Sequence, residues 1–259
     1  MNKLIYSSLA GFALFGAVAQ ALAEAPEDQK LESFFKTYLD EHFRLRPVEA
    51  TKLGDHRFDA QLEDVSLQAR ESWLAHSRRT LRELPRQVNY SRLSRPGQID
   101  FEILKHQLET QIWLTKNTKP FEEDPRAYND YINDSVYMLL TQSTLPRETN
   151  VANCIARMAQ IPRVILTAKQ TLKHPPKPIL ETAIRQNRGA ISFYQSEVFQ
   201  LAGETQQPRS RPEQPPGGGA ELAKLKSATE PVVAALKEHQ RFLEGELMSR
   251  ATGEWRSPG

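Results

Sequence analysis

The chain has 259 residues, 39% hydrophobic and 25% charged, with 34 Lys and Arg against 32 Asp and Glu. That composition excludes an acidic disordered tail, a collagen-like repeat and a disulfide-stapled miniprotein. A chain of this length buries a core without bridges or metals, and a formal charge of +2 lacks the basic excess of a nucleic-acid binder.

The first residues read as an export signal. Met1-Asn2-Lys3 is a short positive start, and Leu4 to Ala19 is apolar and small apart from Ser7 and Ser8. Ala21-Leu22-Ala23 fits the small-x-small cleavage pattern, which makes Glu24 the first mature residue. An uncleaved anchor would need roughly 20 strongly apolar residues; Gln20 and its Ala- and Gly-rich flank argue against one. The division expected is a signal peptide over 1–23 and a mature region over 24–259. That region is expected to be periplasmic or secreted, soluble, and without a membrane span after cleavage. No cysteine follows the cut, as a lipoprotein would require, and the one cysteine is Cys154. It cannot form an internal disulfide, and its helical, apolar setting reads as a small buried hydrophobe rather than a nucleophile.

The mature region carries helical periodicity nearly throughout. Leu31, Phe34, Phe35, Tyr38, Leu39 and Phe43 recur at three- and four-residue steps. Pro47 to Leu53 reads as a short helix with Pro at its first turn and Gly54 as a left-handed cap. Asp55 to Asp59 is then a polar loop. Ser66 caps a helix expected to end at Pro85, and Ser94 caps another that sets Ile99, Ile103, Leu104, Leu108 and Ile112 on one side with Trp113 beside them. Phe121 to Asn129 reads as a connection and Tyr131 to Leu140 as a helix. Asn150 is expected to cap a helix through Met158, with a bend or restart at Ile161-Pro162 toward Leu172. After Pro175-Pro176-Lys177-Pro178, Ile179 to Leu201 is helical again. Residues 204–219, rich in Pro and ending in Gly217-Gly218-Gly219, read as a loop or linker. Leu222, Leu225, Val232, Leu236, Leu243 and Leu247 then mark a last helix, kinked at Pro231 or restarted from Thr229. The fold class expected is all-α, a multi-helix array or bundle with Pro- and Gly-rich connections. No period-two alternation supports a strand.

Few residues offer chemistry. No two of the six histidines sit at the i, i+4 spacing of a helical zinc site, so the spacing points to no metal-ligating residue. Asp130 and Asp134, four apart with Asn133 beside them, could share a face, but the glycine-centred calcium loop is missing; a solvated face is the plainer reading. His239 reads as a partly buried structural histidine. Asp55-His56 is the best polar pair for substrate binding, because a carboxylate orients an imidazole and loops after helix caps often carry sites. The plainer alternative has Asp55 capping a turn and His56 packing on Phe58.

The stretch from Leu39 through Asp59, with Ile99-Asp100-Phe101-Glu102-Ile103-Leu104, Arg157-Met158-Ala159-Gln160-Ile161-Pro162 and Ala251-Thr252-Gly253-Glu254-Trp255-Arg256 following in order, resembles the first half of the DUF885 family. These are exported bacterial proteins, uncharacterised or predicted as metallopeptidases. The resemblance implies a mostly helical fold and export. It also implies that the zinc-binding His-Glu motif of full-length relatives lies in a second half, so no cofactor is expected in this chain. The expected role is the helical N-terminal portion of such a hydrolase, inactive alone. The alternatives are an exported binding module and one half of a split hydrolase. The partners expected are a peptide or the missing C-terminal half. A severed helix set is expected to expose apolar seam positions such as Val232, Leu236 and Leu243.

Overall fold

The computed structural model describes residues 26–203 and 218–253. The signal-peptide stretch 1–23 and most of the linker 204–219 lie outside the described residues. Among these, the chain is helical with no strand or sheet; the one bridge is an isolated parallel pairing of Pro176 with Thr252.

Helix α1 (Pro26–Leu45) is followed by the short α2 (Pro47–Lys52), with Pro47 in its first turn and Gly54 at φ 82° just past its end. A positive φ costs glycine nothing, which is why the chain turns there. Helix α3 (Leu67–Gln87) starts on Ser66, whose hydroxyl accepts from Ala69 N at 3.3 Å. Helix α4 (Arg95–Asn117) starts on Ser94, accepting from Gly97 N at 3.2 Å. The single turn α5 (Pro120–Glu123) precedes α6 (Ser135–Thr141), α7 (Arg147–Met158), α8 (Ile161–Thr171), α9 (Lys177–Ser192), α10 (Val198–Gly203) and α11 (Gly218–Phe242).

The core has two parts. Leu31 and Tyr38 from α1, Leu84 from α3, and Phe101, Leu104 and Leu108 from α4 bury one small cluster. A larger one gathers the rest, with Val136 and Leu139 from α6, Cys154 and Met158 from α7, Val164 and Ile165 from α8, Leu180 from α9, and Leu225, Val232 and Leu236 from α11. Fully burying such an aliphatic side chain contributes about 1.5–3 kcal/mol, so helices too short to persist alone are held by packing.

Several expectations are corrected. Val232, Leu236 and Leu243 are buried, because α11 threads the centre of the larger cluster. The exposed apolar row lies instead on α4, whose Phe101, Leu104 and Leu108 turn inward while Ile99, Ile103, Trp113 and Leu114 face outward. Helix α3 continues past Pro85 to Gln87, and α11 continues through Pro231 without restarting at Thr229. Asn150 is not a cap. Helix α7 begins at Arg147, and the Asn150 amide reaches back to the Leu145 carbonyl at 3.0 Å. Phe121 to Asn129 is not a plain connection, since it holds α5 and a 3₁₀ turn over Pro125–Tyr128. Three helical stretches also widen into π turns at Asp130–Asp134, Phe193–Glu197 and Leu243–Leu247.

Candidate functional site

Two polar regions stand out, one internal and one open. The internal one lies under the loop that follows α2. Asp55 caps a 3₁₀ turn over His56–Phe58, accepting from Arg57 N at 3.1 Å, and pairs with the Arg57 guanidinium at 2.6 Å. That guanidinium hydrogen bond, together with the backbone one, holds the Asp55 carboxyl below its ordinary range. The Arg57 guanidinium also lies over the Phe58 ring. Asp55 thus caps the turn as its plainer reading had it; the His56 Nδ1 lies 2.8 Å from Asp59 Oδ2, which orients the imidazole.

Asp59 is buried, and it is joined to the rest of the fold. Its Oδ1 accepts from Thr51 Oγ1 at 2.6 Å and lies 3.8 Å from Arg157. Arg157, fully buried on α7, donates to Gln61 O at 3.0 Å, to Ser135 O at 2.7 Å and to Thr51 Oγ1 at 2.5 Å. In the turn after α7, Gln160 accepts from Leu62 N at 3.1 Å and donates to Ala60 O at 3.1 Å; from the start of α8, Arg163 reaches the carbonyls of Leu62 and Glu63. Arg157 near the end of α7, Gln160 in the turn between α7 and α8, and Arg163 in the first turn of α8 thus clasp the loop main chain over 60–63. Glu63, also buried, accepts from Val48 N at 3.0 Å, and burial pushes its carboxyl up. The Asp55-His56 spelling led to this loop, but Asp59, Glu63 and Arg157 went unremarked as site residues. Arg157 lies far along the sequence from Asp59 and Glu63, and no local spacing links them.

The open region is a groove of about 680 Å³ between the π turn ahead of α6 and the outer side of α9. Asp130, Asn133, Asp134 and Tyr137 form one wall and Gln186, Gly189 and Phe193 the other. Asp130 pairs with Lys52 at 2.8 Å, which ties the groove to the end of α2. Asp134 forms no ion pair among the described residues; partial burial, then the neighbouring Asp130, hold its carboxyl above the usual range. The π turns of the two walls are locked together, since the Tyr194 hydroxyl donates to the Ile132 carbonyl. Such turns place side chains off the regular helical rows and recur at functional sites. Asp130 and Asp134, read from sequence as a solvated face, are both exposed, and they also line this hollow.

Cys154 is fully buried, its thiol pushed up to about 12 by that burial, so no thiolate nucleophile forms there. Among the described residues no three His, Cys, Asp or Glu side chains are placed to hold a metal ion. The zinc implied by the family resemblance therefore finds no fitting ligand set in them. No helix among them is long and apolar enough to cross a membrane.

An all-α array with a clasped polar loop and an open, aromatic-walled groove is the class these features define. The chain belongs to the DUF885 family of bacterial proteins of unknown function, whose model matches residues 47–259. A solved structure from Shewanella oneidensis, a candidate lipoprotein of unknown function, has the same fold at TM-score 0.71 and 22% identity. That match covers 85% of this chain and 38% of the other, so the chain spans well under half of the longer protein. No curated protein matches the chain.

Proposed function

We propose that this chain is the helical, ligand-holding portion of an exported hydrolase-like protein, and that bond breaking is done elsewhere. The groove takes a peptide segment bearing a basic side chain, with its apolar stem against Tyr137 and Phe193 and its cation at Asp134. One observation carries this. Asp55 is paired with Arg57 and Asp59 with Thr51, whereas Asp134 faces an open volume beside Asp130 and has no ion pair among the described residues.

The test is titration of the mature chain with a fluorescent lysine-bearing peptide and its glutamate counterpart. Preference for the basic peptide, weakened about tenfold or less by Asp134→Asn as befits one partly exposed charge pair, is the expected result. Equal binding of both peptides sinks the groove assignment. One equivalent of bound zinc with peptide cleavage by the chain alone would sink the non-catalytic reading.

A second reading has its own support: the outward row on α4 fits docking against additional polypeptide of the kind the longer Shewanella protein carries. The two readings are compatible.

A further inference from the structure

Where α1 crosses α3, two histidines are buried against each other. His42 and His76 are both almost fully covered, with ring centroids 6.0 Å apart, and Tyr38 stacks on His76 at 5.5 Å and 3°. The groups facing them come from three elements. From α1, Glu41 Oε2 lies 3.3 Å from His76 Nδ1; from α2, Glu49 Oε1 lies 3.2 Å from His42 Nε2 and is shared with Arg46; from α3 itself, Arg79 donates to His76 Nδ1 at 3.2 Å.

Two groups compete for His76 Nδ1: Arg79 can only donate to it, whereas Glu41 Oε2 can only accept from it. In either tautomer Nε2 is buried with no partner among the described residues. Full protonation puts an N–H on both nitrogens. It therefore drives the Arg79 N–H from Nδ1, leaves the Nε2 N–H buried without an acceptor, and creates a cation 6.0 Å from His42. The one carboxylate beside it, Glu41, is already paired with Arg79. The stacked arrangement of the two rings is therefore incompatible with a fully protonated His76.

We propose that His42 and His76 form a proton-operated latch, which lets α1 come away from α3 when the pH falls. Burial first, then the His42 charge, hold the His76 imidazole below its ordinary value. A histidine depressed in the folded state stabilises fully above its unfolded value, near 6.5, and the stabilisation is lost as pH falls below it. The latch is closed at neutral pH and released in mildly acid surroundings. Its release exposes Tyr38 and the α1 side of the smaller core, leaving the larger core in place.

Hydrogen exchange of the full mature chain, corrected for intrinsic pH dependence, reads this directly. Amides of α1 are expected to gain a several-fold rise in opening between pH 7.5 and 5 while α7 and α8 stay unchanged. His76→Phe, which keeps the stack on Tyr38 and removes the titration, is expected to flatten the α1 response. An unchanged α1 response in that variant overturns the proposal. If the variant does not fold, NMR titration of the wild-type histidines decides: His76 protonating at or above 6.5 overturns it, and protonation clearly below 6.5 in step with α1 opening upholds it.

Discussion

Arg157 is the most heavily committed side chain of the molecule. It is fully buried, bonded to two carbonyls and a hydroxyl, and paired with a carboxylate that itself orients His56. Burial depresses its guanidinium, and Asp59 and then Glu63 work against that shift. A buried pair is weak evidence of net stabilisation, but removing one partner leaves the other charged and unpaired, which costs about 3–5 kcal/mol. Arg157→Ala is therefore expected to lower unfolding stability by about that amount, measured by urea titration. The loss should shrink when Asp59→Ala is added, because the buried carboxylate that has lost its guanidinium goes with it. A cost below about 1 kcal/mol for the single change, or strict additivity of the two, would show that the clasp on residues 60–63 does not depend on this pair.

At the scale of elements, periodicity predicted most helices correctly and misjudged which face of one was inside. Ser66 and Ser94 were readable because a hydroxyl cap is a local device, as was the positive φ of Gly54. The π turns were not readable, since one extra residue per turn leaves no composition signature and depends on partners such as Tyr194 and Ile132, 62 positions apart. The family-like stretches Leu39 to Asp59 and Arg157 to Pro162 turn out to meet in space, through Thr51, Asp59, Arg157 and Gln160. That pairing of distant segments is what a single sequence conceals. Asp130 and Asp134 were noticed by their spacing, but the groove they line depends on the distant α9. Helix α4 presents apolar residues on both sides, so periodicity could not say that Phe101, Leu104 and Leu108 win the core. Exposed Ile103 and Trp113 contribute little to folding. Changing both to Glu is expected to shift unfolding stability by no more than about 0.5 kcal/mol per site while abolishing binding of a hydrophobic dye and any self-association. A loss above about 2 kcal/mol would mean that this face is packed in solution.

For the whole molecule, acid sensitivity separates its two cores. His239, buried on α11 and stacked on Phe242, is pushed down to about 4, chiefly by burial and further by Lys169, and its Nδ1 has no partner. Its stabilisation is complete above its unfolded value near 6.5 and drains away as pH falls toward 4, a loss of about 3 kcal/mol across that span. Glu63 acts in the opposite sense: its raised carboxyl costs stability when ionised, and that cost is relieved as pH drops. The ion-paired carboxylates Glu49 and Glu122, held below their ordinary value by His42 and Lys173, lose their contribution only below about 4.5. Between pH 6.5 and 4.5 the histidines therefore dominate, His239 acting on global unfolding through the larger core and His76 on the smaller. His239→Leu replaces an orphaned ring nitrogen with apolar volume, so it is expected to leave stability at pH 7 unchanged or raised. In urea titrations it should also remove more than half of the stability that the wild type loses between pH 7 and 4.5. The same loss in variant and wild type would place the acid sensitivity outside α11.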